Sequence, residues 1–119
     1  MTNHRSETFL GDEGLALAAD CYGAPRRGTV LLAHGGGQTR HAWAKTGVRL
    51  AEAGWRAVAV DLRGHGDSGW SPTGNYQIQR FAADLIQVAA QLGDRPALVG
   101  ASLGGIAGMM VEAVAAPGV

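Results

Sequence analysis

The sequence predicts an α/β fold in which an N-terminal β-hairpin leads into three parallel strands alternating with helices. Three observations carry that expectation. The runs TVLLA (29–33), WRAVAV (55–60) and PALVGA (96–101) are apolar without alternation, as in strands covered on both faces of a parallel sheet. Segments with apolar residues at helical spacing separate or follow them. Short glycine-rich turns join the two kinds of element, so right-handed crossovers are implied, with helices on both faces of the sheet.

The elements follow in order. Glu7–Leu10 and Leu15–Tyr22 flank the turn Gly11-Asp12-Glu13-Gly14 and read as an antiparallel hairpin. After the strand at 29–33, Trp43, Gly47, Leu50 and Ala51 recur at helical spacing, and Gly54 is placed to end that helix before the strand at 55–60. The stretch LRGHGDSGWSPTGN (62–75) is dense in turn residues and is expected as a loop on the sheet rim. Ile78, Phe81, Ala82, Leu85, Val88, Ala89 and Leu92 then define an amphipathic helix with Gly93 as its stop and with Asp84 and Gln87 facing outward. The strand at 96–101 passes through a glycine-rich turn into a last helix from Leu103 to Ala115. No repeat or linker interrupts the chain, so residues 1–119 read as one portion of a single domain.

Composition narrows the function classes. Ten basic and ten acidic residues cancel and are scattered, which argues against a nucleic-acid or membrane footprint and for a small-molecule partner. The lone Cys21 cannot form an internal disulfide, and no apolar run of signal-peptide or membrane-spanning length follows the N-terminus, so a cytoplasmic address is expected.

The chemistry concentrates in the turns. Gly100-Ala101-Ser102-Leu103-Gly104 fits G-x-S-x-G between a buried strand and a helix, where a sharp turn would hold the serine at its apex and the helix dipole would face it. The plain alternative is a strand-to-helix turn with Ser102 as a helix cap. His34-Gly35-Gly36-Gly37 ends an earlier strand and leaves backbone N–H groups uncovered; by itself it suits a flexible loop or a phosphate cradle equally well. A third segment, DLRGHGDSG (61–69), follows the next strand. Its Gly64-His65-Gly66-Asp67-Ser68-Gly69 also fits the dinucleotide pattern G-x-G-x-x-G, with Asp84 downstream, but the glycines open no helix and Asp84 falls inside one, so that reading fails on context.

Together these three segments resemble the α/β-hydrolase superfamily, over almost the whole chain and closest to its esterase, lipase and cofactor-free peroxidase-like members. The resemblance implies that Ser102 is a nucleophile and that the N–H groups of Leu103 and Gly36, with Gly37 as second choice, form an oxyanion hole. It further implies that His34, Gly35 and Trp43 contribute to substrate binding, that Trp70 lies near the pocket, and that no cofactor or metal is required. Epoxide-hydrolase and dehalogenase-like members carry Asp at the nucleophile position, so a serine argues against both.

The resemblance also implies a later acid and histidine, in that order. The stretch after Ser102 holds one acid, Glu112, expected as a charge on the helix surface, and no histidine. The expectation is therefore a truncated chain: a serine hydrolase of ester-like molecules by family, inactive or very weak by itself. A perhydrolase acting with hydrogen peroxide in the full-length form, and a non-catalytic fragment or subunit, are the alternatives. His34, His41 and His65 sit on the rim and could in principle serve as base. For His34 and His65 the competing expectation is that they tie the rim loops together; Asp61, Arg63 and Asp67 are expected as a salt-bridged rim, and His4 has no role. If the strand at 96–101 is left as an edge, its unpaired backbone groups would favour self-association or aggregation.

Overall fold

The computed structural model describes residues 4–93 and 95–115, with side chains as far as Val111. Strand β1 (His4–Leu10) and strand β2 (Ala16–Tyr22) form the expected hairpin, joined through a short 3₁₀ turn at Asp12–Gly14. Then come β3 (Gly28–Ala33), a 3₁₀ turn at Arg40–Trp43, helix α1 (Ala44–Glu52), β4 (Trp55–Val60), helix α2 (Ile78–Leu92), β5 (Ala97–Gly100) and helix α3 (Leu103–Ala115). The five strands form one mixed sheet in the order β1-β2-β4-β3-β5. β3 pairs in parallel with β4 and β5, and β2 pairs antiparallel with β4, so the hairpin extends the parallel strands at one side.

The apolar runs were expected to be covered on both faces; for β3 and β4 two clusters do this, whereas β5 is mostly exposed because it pairs only with β3 among the described residues. On one face Leu17, Leu31, Val58 and Val60 pack with Phe81, Leu85 and Val88 of α2 and with Leu103 and Val111 of α3. On the other, Tyr22, Val30, Leu32, Ala57 and Ala59 meet Trp43, Leu50 and Ala51 of the α1 region. β3 and β4 lie between the two clusters and are buried almost throughout. Helix α2 ends at Gly93, whose φ of 69° gives the left-handed cap expected from its position.

One side chain departs from the expectation. Asp84 faces inward and is 1% exposed. It lies beside Phe81, Leu85 and Val88 on the buried stripe because Arg63, itself fully buried, requires a partner there. Arg63 Nε and Nη2 donate to the two Asp84 carboxylate oxygens at 2.7 and 2.9 Å, and Arg63 Nη1 donates to Glu13 and to the Asn75 carbonyl. The hydrogen bonds from Arg63 to Asp84 hold its guanidinium charged, against the opposing effect of burial. The second Asp84 contact, from the Asp12 N–H at 2.8 Å, anchors the hairpin turn to the same helix.

Removing one member of such a pair strands a charge in the interior. Asp84→Ala is expected to destabilise the fold by about 3 kcal/mol or more, whereas the double variant Arg63→Met/Asp84→Leu recovers most of that loss. Urea unfolding of the two variants beside the parent checks this.

Candidate active site

The last turn of the parallel layer is built by contact between backbones. The Ala101 N–H donates to the Ala33 carbonyl at 3.1 Å, and the Gly104 N–H reaches both the Ala101 and His34 carbonyls. A Cβ on Gly104 would run into the Ala33 and His34 carbonyls, and one on Gly100 into the Gly104 backbone. Glycine at both positions is what lets the start of α3 sit directly on the ends of β5 and β3.

At the apex between them, Ser102 adopts φ 53°, a left-handed conformation that costs a non-glycine residue about 1 kcal/mol. Its side chain is exposed and makes no hydrogen bond to α3 among the described residues. An N-cap serine has extended backbone and accepts from the second or third helical N–H, so the capping role considered for Ser102 does not describe this residue. Beside it lies an open cleft of about 500 Å³ lined by Leu98, Gly100, Ser102, Gly105, Ile106, Gly108 and Met109. β5 pairs only with β3 among the described residues, and Val99, Ile106 and Met109 are exposed next to it.

The loop after β3 faces Ser102. The position a Gly35 side chain would take is 3.4 Å from Ser102 Cβ, and that of Gly36 is 3.8 Å from Leu103 Cβ. The three glycine amides differ in what they meet. The Gly35 N–H donates to Gln38 Oε1 at 3.1 Å and the Gly37 N–H donates to His65 Nε2 at 3.1 Å. The Gly36 and Leu103 N–H groups have no acceptor among the described residues. Gly37, the second choice for an oxyanion donor, is thus already engaged by an imidazole.

His34 was expected to help bind substrate, and here the structure corrects the reading. The ring is fully buried. Its Nε2 accepts the Leu62 N–H at 3.0 Å, and its Nδ1 lies 2.8 Å from the Gly35 carbonyl, which fixes the proton on Nδ1. Burial holds this imidazole below its ordinary value of 6.5, so it stays neutral and ties two loops together. His65 is bound in the same way, through Arg63 O and Gly37 N–H, so neither histidine is available as a base. His41 is exposed and lies 3.9 Å from Asp20, and no histidine lines the Ser102 cleft.

Trp43 is not brought to the serine either. It packs on the α1 face of the sheet, where its indole N–H is buried without an acceptor. Trp70 is largely exposed on the rim loop and is not part of the cleft wall. The side chain of Glu112 lies outside the described residues.

Asp61 and Asp67 are ion-paired on the rim as expected, but their partner is Arg40, which spacing did not reveal, and not Arg63. Asp61 accepts from the Arg40 N–H at 2.6 Å and is ion-paired with its guanidinium, which also contacts Asp67 at 2.9 Å and Asp20 at 3.1 Å. Burial opposes the charge on Arg40, but these three carboxylates raise its affinity for the proton further. Gln38 follows the tri-glycine directly and Arg40 lies just beyond Thr39, and that proximity is the one sequence signal that could have marked them. Gly66, with φ 50°, brings its backbone against the Asp61 carboxylate where a side chain would collide, and Asp67 N–H donates to the same group.

Residues 28–115 match the family model described as alpha/beta hydrolase fold. The chain belongs to that family. Curated relatives of this alpha/beta hydrolase include an esterase of Mycobacterium tuberculosis, 42% identical over 77% of the chain and 29% of the relative. Epoxide hydrolase A of the same organism is 31% identical over 85% of the chain and 32% of the relative. Among solved structures, the thioesterase domain from the curacin biosynthetic pathway superposes with a TM-score of 0.84 at 32% identity, over 94% of this chain and 42% of that one. The chain thus spans about a third of the length of the curated relatives. No helix among the described residues is long and apolar enough to cross a membrane.

Two measurements test this geometry. Ser102→Gly removes the left-handed strain and Ser102→Ala keeps it, so the glycine variant is expected to unfold at higher urea, by about 1 kcal/mol. For His34 the sign follows from its lowered native value: the unfolded chain takes up a proton that the native site refuses. Its contribution is therefore complete above pH 6.5 and is lost as pH falls below it. Between pH 7 and pH 5 the stability of the parent is expected to fall as the unfolded chain takes up that proton, and His34→Gln to fall less steeply.

Proposed function

We propose that this chain carries the nucleophile and oxyanion donors of a serine hydrolase acting on uncharged, ester-like small molecules. The observation that carries the reading is Ser102 held at φ 53° at the head of α3, exposed in a cleft, beside two backbone N–H groups without acceptors among the described residues. Strain of this kind persists only where packing over-determines it, and the glycine contacts of α3 with β3 do so. Esterase and thioesterase relatives support the same chemistry. Epoxide hydrolases are also among the relatives, but a serine at this position favours acyl transfer.

In the proposed reaction Ser102 Oγ bonds to the acyl carbon, and the carbonyl oxygen takes up negative charge toward the N–H groups of Gly36 and Leu103. The positive end of the α3 dipole favours that charge. Collapse expels the alcohol, and water releases the acid from the acyl-serine. Proton transfer from Oγ is not served by His34 or His65, because each is engaged on both nitrogens. The chain alone is therefore expected to acylate slowly.

Treatment with p-nitrophenyl acetate or a fluorophosphonate, followed by peptide mass spectrometry, is the test. The expected outcome is an adduct on Ser102 of the parent, with only amine labelling common to both proteins in Ser102→Ala. Equal labelling of the two proteins would overturn the assignment, and turnover at ordinary enzyme rates would overturn the slow-acylation expectation.

A further inference from the structure

The two loops that flank Ser102 are joined by a reciprocal pair of histidines. His34, from the loop after β3, accepts the Leu62 N–H of the rim loop. His65, from the rim loop, accepts the Gly37 N–H of the loop after β3. Each ring points its Nδ1 at a backbone carbonyl on its own loop, Gly35 for His34 and Arg63 for His65. A carbonyl can only accept, so both rings carry the proton on Nδ1 and offer a bare Nε2 to the other loop. The ring centroids are 5.0 Å apart.

This arrangement sets which amide of the tri-glycine stays free. Glycines have no side chains to hold their peptide planes, and a run of three samples many orientations. Here the Gly35 N–H is held by Gln38 and the Gly35 carbonyl, which shares its peptide plane with the Gly36 N–H, accepts from His34 and the Gln38 N–H, while the following plane is held by His65 through the Gly37 N–H. Such a donor stabilises a developing oxyanion only if it is already oriented before reaction. His65 can impose orientation because its own loop is rigid: the Arg63 backbone and side chain are buried, Gly64 N–H donates to Gly69 O, and Ser68 N–H donates to His65 O.

We infer that His65 is a positioning residue that orients the Gly36 N–H toward the acyl oxygen through its acceptor bond to Gly37. This rests on the serine-hydrolase reading above. His65 touches neither Ser102 nor the cleft, so it acts on the rate of acylation and leaves ester binding alone.

The test is single-turnover acylation of Ser102 by p-nitrophenyl acetate, followed by intact mass over a range of ester concentrations, on the 119-residue chain. The proteins are the parent, His65→Phe, which keeps a ring beside His34 and Phe81 but has no acceptor, and His65→Gln, whose amide oxygen replaces Nε2. The expected result is a limiting rate about tenfold lower in His65→Phe with half-saturation unchanged, and recovery to within about twofold of the parent in His65→Gln. A general loss of fold in His65→Phe would lower rate and saturation together and would not be repaired by glutamine, and that pattern overturns the positioning role. So does a His65→Phe rate equal to the parent's, while Ser102 acylation itself stands. Absence of any Ser102 adduct in the parent overturns the serine reading and this inference with it.

Discussion

The structure depends on how closely the first turn of α3 approaches the ends of β3 and β5. Gly104 meets the Ala33 and His34 carbonyls directly, a distance no side chain could share. That contact forces the chain to reverse between Ala101 and Leu103, and the residue at the reversal takes a left-handed backbone whatever its identity. It also draws the loop after β3 over the head of α3, which is why Gly35 and Gly36 stand against Ser102 and Leu103. A single backbone contact therefore fixes the serine, the helix terminus and the donor loop relative to one another.

A rim built from loops would be mobile without internal ties, and here two buried guanidinium groups provide them. Arg63 links the rim loop to α2 through Asp84 and to the hairpin turn through Glu13. Arg40 links the loop after β3 to Asp61 and Asp67 on the rim and to Asp20 on β2. Buried ion pairs add little net stability against apolar replacements, but each is intolerant of losing one member. Their effect is to give the irregular segment 61–69 a unique conformation, across which His34 and His65 can make directional bonds between the two loops.

The strands, the helices and the serine turn were legible because local rules govern them: unbroken apolar runs, helical spacing, and glycines on both sides of a serine. Long-range partnerships were not. Asp84 occupies a polar position in an otherwise apolar stripe, and only knowledge of where Arg63 ends up explains why it faces inward. Trp43 was expected beside the pocket, yet it packs on the opposite face because α1 carries it there. For Gly36 against Gly37, the motif offered both as donors; what separates them is a bond to His65, 28 residues away in the chain. Spacing reports which backbone groups are uncovered, and tertiary contacts decide which of them stay so.

Cys21 lies on β2 between β1 and β4, fully buried, its thiol 3.4 Å from Glu7 and pushed up to about 12 by burial first and that carboxylate second. A thiol this far from its thiolate is a poor nucleophile at neutral pH. It is also the single cysteine of the sequence. The folded molecule therefore presents no thiolate to compete with its other nucleophiles for an electrophile. Modification of the cysteine would instead be a sign that the sheet has opened, which makes the same residue an internal gauge of unfolding.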